Sequence, residues 1–298
     1  MQFEANRAPD LYQIALEAVL QHGDRTMPRG VPTRELRGVS LRLNQPDQAN
    51  LVDRKGMNIR FAMAEFAWIL TGQNSTALIT KFNKQIGNYS DDGNVMAGAY
   101  GPPLADQLPW VIQQLRDDPD TRQAVLTLWR PRPAKSKDIP CTLSMQFFIR
   151  SGKLEMMTTM RSNDCVLGFP YDVFVFTMIQ RYVASALACQ VGTYHHHVGS
   201  FHVYERDVDA AHEHVRSPRV YHDTMDLTTE YPYPLELLQA LVVAPYDVAW
   251  RDLTTWRNSI GLLIPSLTSK KWQQIIDAHG VEPLGFKDYD GQLSQLGE

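Results

Sequence analysis

An α+β fold follows from three features of the 298-residue chain. Apolar residues recur at helical spacing up to about position 117, strand-like runs gather after position 123, and the two do not alternate as regular βαβ units. No repeat, low-complexity tract or linker-like composition interrupts the text, so a single domain over 1–298 is expected.

Taken in order, Leu11, Ile14, Ala15, Ala18 and Val19 lie at helical spacing between Pro9 and Gly23, which predicts a helix over 9–22. Polar, Pro- and Gly-bearing text over 24–38 reads as loop. Residues 58–70 return to helical spacing at Ile59, Ala62, Met63, Phe66, Ala67 and Leu70, stopped by Gly72, with Glu65 in their midst. The stretch 73–103 has no period and suggests a surface or active-site segment; 105–117 is helical again. Runs at 123–129, 142–150 and 153–160 are β-rich, and Ser151-Gly152 joins the last two as a tight hairpin. Pro170 opens an apolar stretch to Cys189 that is too long for a strand and predicts a buried helix. A strand over 194–204 follows, then short helices near 207–215, 234–242 and 268–278.

With 29 Lys+Arg against 33 Asp+Glu the net charge is −4, which argues against a protein that coats nucleic acid. Hydrophobic residues at 44% are enough to bury a sizeable core. No apolar run approaches a membrane span, and Glu4, Arg7 and Asp10 leave no signal core at the start, so a soluble cytoplasmic protein is expected. Three cysteines without CxxC spacing speak against a disulfide framework or a thiolate zinc site.

A few residues could carry chemistry. Cys141, after Pro140 and at the mouth of a strand, is either a small buried hydrophobe or a nucleophile held at a cavity edge. Arg161-Ser162-Asn163-Asp164 at a strand end is either an ordinary turn or an anion site, since a guanidinium forks onto phosphate oxygens. Asp172 enters an otherwise apolar helix, where it complements the dipole or serves a site. In His195-His196-His197 neighbouring side chains point to opposite strand faces, so no metal is expected. His202 and Tyr204, two apart, share a face.

Together, Pro140-Cys141, Gln146-Phe147, Arg161-Ser162-x-Asp164-x-x-Leu167-Gly168-x-Pro170-Tyr171 and Gly199-x-x-His202-x-Tyr204 resemble the thymidylate synthase family in order and spacing. Glu65-x-x-Trp68-x-Leu70, Tyr100-Gly101 and Asp118-Pro119-Asp120-Thr121-Arg122 agree with it. The likeness is clearest over 10–210 and poor beyond about 215. It implies a mixed, six-stranded sheet backed by helices, a sheet-to-sheet homodimer, and transfer of one carbon from 5,10-methylenetetrahydrofolate to pyrimidine C5 without a metal.

The resemblance also implies residue roles. Cys141 would add to C6 of the base, with Tyr100 also in the catalytic set and Arg161 both binding the nucleotide phosphate and depressing the thiol pKa. Arg29, Ser162 and Arg122, the last reaching from the partner subunit, would complete the phosphate cradle. His202 and Tyr204 would hold the sugar 3′-hydroxyl, and Glu65 would order water and move protons. Asp164, Tyr89 and Lys55 would face the folate, with Gly168 beside them and Asp164 also near the nucleotide.

Departures from the synthase pattern point to the substrate and product. Asp172 stands where synthases read uracil with Asn; a carboxyl accepts from the cytosine amino group while sharing a proton with N3, whereas a carboxylate meets uracil O4 acceptor to acceptor. The likeness therefore narrows to the deoxycytidylate hydroxymethylase branch. Thr142, Met160 and Gln123 replace the usual His, Gln and second Arg. No apolar closing tail is recognisable over 285–298, so water rather than hydride is expected to complete the reaction. A dCMP or CMP methylase of the same fold is the alternative; a thymidylate synthase or a binding-only relative ranks below it.

Overall fold

The computed structural model describes residues 1–46, 52, 57–130 and 136–216, apart from the side chains of residues 59, 60 and 63. These all fall within the compact unit Met1–Leu235. The expected helices at 234–242 and 268–278, the tail at 285–298 and Lys55 lie outside the described residues, as does much of the expected 1–298 domain.

In chain order the elements are β1 (Gln2–Ala5), α1 (Ala8–His22), β2 (Asp24–Thr26), β3 (Thr33–Leu43), α2 (Ile59–Leu70), α3 (Thr76–Ile79) and α4 (Gly101–Asp117). They continue with β4 (Val125–Thr127), β5 (Thr142–Arg150), β6 (Lys153–Asp164), α5 (Phe169–Ala186), β7 (Gln190–Tyr204) and α6 (Val208–Arg216). The α+β expectation holds. One mixed sheet runs β1-β3-β7-β6-β5-β4, with β2 hydrogen-bonded to β3. β3 with β7 and β5 with β6 are antiparallel; β6 with β7 is parallel. Among the described residues the sheet has seven strands where six are expected, with β1 and β2 as short strands beside β3.

The local causes are plain. Gly23 ends α1 by donating to the Val19 carbonyl at 2.9 Å, an approach a Cβ would block. Asn58 caps α2 by accepting from the Phe61 amide at 3.0 Å. α5 stops at Ala186, earlier than the sequence suggests, where Ala188 turns to φ 52°. β2 and the first half of β3 occupy text that reads as loop in the sequence. Gly38 sits in the middle of β3 at φ +64°, and the register to β7 is kept across it, from Arg37 opposite Ser200 to Val39 opposite Val198. The glycine, with Arg34, Glu35 and Arg37 around it, obscures the period-two pattern by which strands are recognised.

The core lies between the sheet and the helices. Phe169, fully buried at the start of α5, meets Phe201 edge-on at 5.3 Å and His196 at 5.3 Å, and stacks on Tyr12 of α1 at 6.4 Å. In β6 the buried positions are Leu154, Met156, Thr158 and Met160, then Asn163; in β7 they are Gly192, Tyr194, His196 and Val198, then Phe201, His202 and Val203. Both strands therefore shift their alternation at one level, since Met160 pairs with Val198 and Asn163 with Phe201. The shift buries Asn163, which lies within hydrogen-bond distance of Asp172 at the start of α5.

Phe169→Ala removes the ring that ties α1, α5 and β7 together. It should cost about 3–5 kcal/mol in urea unfolding; a loss under about 1 kcal/mol would show that the three elements are held by other contacts.

Candidate active site

Cys141 occupies the bend before β5, half-buried, and its own carbonyl accepts from the Arg161 amide at 2.8 Å. The Arg161 guanidinium grips the same loop: Nε donates to the Pro140 carbonyl at 2.9 Å and Nη2 to the Ile139 carbonyl at 3.0 Å. Arg161 is thus a brace for the nucleophile's loop, with both Nη1 hydrogens and one on Nη2 left for an anion. Behind the thiol, the Thr142 amide donates to Tyr100 Oη at 3.3 Å, which ties the start of α4 to the mouth of β5.

The expected thiol activation needs correction. Burial pushes the Cys141 thiol up and outweighs the Arg161 charge that pulls it down; Asp172 and Asp138 push it further up, and Arg29 pulls with Arg161. The resting group is a neutral thiol. Any event that neutralises Asp172 favours the thiolate.

Two carboxyl groups share this pocket. Burial, followed by the charge of Asp172, raises Glu65 to about 8. Burial also raises Asp172 to about 7; the Asn163 hydrogen bond opposes the rise and the Asp164 charge adds to it. At neutral pH Glu65 is mostly a neutral acid and Asp172 is poised between its two forms. Burial, then the charges of Cys141 and Asp172, hold Tyr100 well above its ordinary value, so it stays a phenol. Glu65, Tyr100, Cys141 and Asp172 are therefore one electrostatic cluster, drawn from α2, α4, the β5 mouth and α5.

The nucleotide-side candidates gather at the adjoining sheet end. Ser162 pairs with Ser200, and Asp164 with His202, across β6 and β7. His202 Nδ1 lies 3.3 Å from the Ser200 carbonyl, to which it donates, and the His202 ring stands edge-on to Tyr204 at 5.0 Å. Arg29, exposed at φ 55° in the Pro28–Gly30 turn, lowers both Cys141 and Tyr204, which places its charge between them. Tyr89 is 56% exposed and close enough to raise Tyr204. Asp164 Oδ1 accepts from the Val166 and Leu167 amides at 2.8 and 3.1 Å, while burial, offset by those bonds, lifts its carboxyl. Arg122 lies apart: its side chain is exposed, and its carbonyl accepts from Gln146 at 2.9 Å.

Three further residues carry no signal of their own in the sequence. Asn163 Nδ2 donates to Asp172 Oδ2 at 2.7 Å, Asn163 Oδ1 lies 2.8 Å from His196 Nε2, and His196 Nδ1 lies 2.7 Å from Tyr194 Oη. Gly168 makes room for this contact, since a Cβ there would stand 3.0 Å from Asn163 Nδ2. Of the histidine triplet, His196 is buried while His195 and His197 stack on the other sheet face at 6.4 Å. Among the described residues no group of three ligand-type side chains could hold a metal ion.

A thymidylate synthase family profile matches residues 10–239. Two relatives carry the name deoxyuridylate hydroxymethyltransferase. That of Bacillus phage SP01 is 32% identical over 267 residues, 82% of this chain and 67% of its own. That of Pseudomonas phage M6 is 30% identical over 215 residues, 68% of this chain and 59% of its own. This chain thus spans about three fifths to two thirds of those proteins' length. It belongs to the thymidylate synthase family. With that membership it is a folate-dependent one-carbon transferase acting on pyrimidine C5, with 5,10-methylenetetrahydrofolate as co-substrate.

The thiol assignment can be measured directly. In a Cys189→Ser background, alkylation of Cys141 by iodoacetamide should rise with pH through a midpoint above the usual thiol value of about 8.5, and Asp172→Asn should lower that midpoint. A midpoint below the usual value would contradict the dominance of burial over Arg161.

Proposed function

We propose that the protein hydroxymethylates C5 of a pyrimidine deoxynucleotide, and that its preferred substrate is dCMP. One observation carries the choice of base: the half-buried carboxyl of Asp172, held by Asn163, stands beside the nucleophile, at the position where the resemblance puts a carboxamide in uracil-reading members. Cytosine presents an amino donor and the N3 acceptor side by side; a half-ionised carboxyl accepts from the first and shares its proton with the second. A second reading, dUMP, is favoured by the names of both phage relatives.

In this mechanism the phosphate lies against Arg29, Arg161 and Ser162, and the sugar hydroxyl against His202 and Tyr204. Cys141 Sγ adds to C6, and the electron pair moves to C5, which becomes the carbon nucleophile. Bound 5,10-methylenetetrahydrofolate supplies the one-carbon unit; Asp164, Tyr89 and Gly168 line that side, and Asp164 supplies a buried carboxyl for a polar ring edge. Neutral Glu65 would give its proton to the departing tetrahydrofolate nitrogen while the C5 proton passes to water, which exposes a methylene on the base and leaves Glu65 a carboxylate. Water adds to that methylene, its proton passing to Glu65, and the returning electron pair expels the Cys141 thiolate from C6. Glu65, raised to about 8, holds and returns protons near neutrality without a permanent charge.

The dimer is part of the proposal. The sheet face away from the helices carries Gln146, Met157, Thr159, His195 and His197, half-buried in the single chain, and offers a broad surface for a second copy. Arg122, exposed in the single chain, would reach a phosphate from the partner subunit in such a pair.

Product analysis by mass spectrometry tests the function. With methylenetetrahydrofolate and equimolar dCMP and dUMP, hydroxymethyl-dCMP should dominate, and Asp172→Asn should shift the ratio towards dUMP by about tenfold or more. Product on dUMP alone from the unaltered protein would establish the second reading, and a methyl product would remove water addition. For the assembly, light scattering should give twice the chain mass; the mass of one chain would contradict the dimer.

A further inference from the structure

We propose that Tyr194, His196 and Asn163 form a positioning relay that fixes which oxygen of Asp172 carries its proton, and so which pyrimidine edge the site accepts. The inference rests on the reading of Asp172 as the group that faces the base and deepens it by naming what orients that group.

The relay is continuous and buried. Tyr194 and His196 are fully buried and Asn163 is 3% exposed, so none of their polar atoms has water to fall back on. Successive contacts are 2.7, 2.8 and 2.7 Å. A carboxamide has one donor end and one acceptor end, so Asn163, donating through Nδ2 to Asp172 Oδ2, turns Oδ1 to His196 and must receive an N–H there. Burial drives His196 down to about 3, so it is neutral and carries one ring hydrogen, on Nε2. Its Nδ1 is then bare and accepts from the Tyr194 hydroxyl. Every donor in the series finds an acceptor, and the direction runs from Tyr194 to Asp172.

The opposite direction would need Asp172 to donate through Oδ2, the amide of Asn163 to turn over and His196 to change tautomer together. Asp172 excludes that arrangement whenever it is ionised, because a carboxylate can only accept. The Asn163 donor also favours the anion, in keeping with its lowering effect on Asp172. With Oδ2 committed to accepting, the proton resides on Oδ1. The two oxygens thereby become chemically distinct: one accepts and one donates. Cytosine is satisfied when Oδ2 meets its amino group and Oδ1–H meets N3; uracil needs the reverse placement. A carboxyl free to exchange its proton between oxygens would serve both bases, whereas a fixed one serves one.

The other groups facing Asp172 bias its proton without choosing its oxygen. They are Glu65 of α2, Tyr100 at the head of α4, Cys141 before β5, Asp164 at the end of β6 and Tyr194 of β7. All are acids, and their ionisation can only strengthen the hold on the proton. Asn163, by contrast, donates a hydrogen bond to one named oxygen of the carboxyl.

The test is kcat/KM for dCMP and dUMP across pH, on the full chain and four variants. Asn163→Ala should cut the discrimination between the two bases about tenfold or more and move the alkaline fall in activity to higher pH, because the donor that stabilises the carboxylate is gone. His196→Leu should do the same in part. His196→Gln, whose carboxamide can still donate to Asn163, should restore discrimination; a merely structural role for His196 would not separate Gln from Leu. Asp172→Asn separates the relay from the reading of the base. If it alters the preference while Asn163→Ala and His196→Leu change neither ratio nor pH profile, the relay is wrong and the reading of Asp172 stands. If it leaves the preference unchanged, Asp172 does not read the base and the relay falls with it. Should Asn163→Ala fail to fold, the contrast between His196→Leu and His196→Gln decides between these outcomes.

Discussion

Partial burial of two carboxyl groups beside one thiol is the constraint on which the rest of this structure turns. Glu65 and Asp172 enter from different helices, and each is lifted first by removal from water. Such groups survive near neutrality by holding protons or by hydrogen bonding, and the molecule uses both means. Glu65 keeps its proton; Asp172 takes a donor from Asn163. The shifted alternation in β6 and β7 and the absence of a side chain at Gly168 make that donor's position possible. Sheet geometry thereby decides carboxyl chemistry.

The thiol follows the same logic. The proximity of Arg161 would by itself favour a thiolate, yet burial outweighs it, while two of its donors hold the carbonyls of Ile139 and Pro140. A neutral resting thiol fits an enzyme whose nucleophile is released by its substrate: a base that engages Asp172 removes a negative charge opposing the thiolate, so charging of Cys141 is coupled to correct occupancy. The brace provided by Arg161 then counts as positioning of the loop as much as electrostatics.

Much of this is legible in the sequence, for identifiable reasons. The helices over 8–22, 59–70, 101–117 and 169–186 have clean apolar periods and end signals, and the β5–β6 hairpin is marked by Ser151-Gly152. Cys141, Arg161, His202 and Tyr204 stand out because their order and spacing repeat a family pattern, and the structure brings them to one end of the sheet. Hidden from the sequence are features with no local period. The β3 strand runs through Gly38 at φ +64° and through charged text that gives no strand signal. Asn163 looks like a spacer in Arg161-Ser162-x-Asp164, and His196 like one member of a triplet whose neighbours point to opposite strand faces. Their partnership spans 33 positions and exists only through strand register and the shifted alternation. An Asn facing inward in a strand is the one available signal, and it needs the register to be read.

The most direct measurement is the protonation state of Asp172 itself. Difference infrared spectra between about pH 5.5 and about pH 9, with Asp172→Asn and Glu65→Gln assigning the bands, report a neutral carboxylic acid by its carbonyl stretch. Two such bands are expected, the Asp172 band fading with a midpoint about 7 and the Glu65 band about 8. A fully ionised Asp172 at the acid end of that range would contradict the buried-carboxyl constraint, and with it the origin assigned to the choice of base.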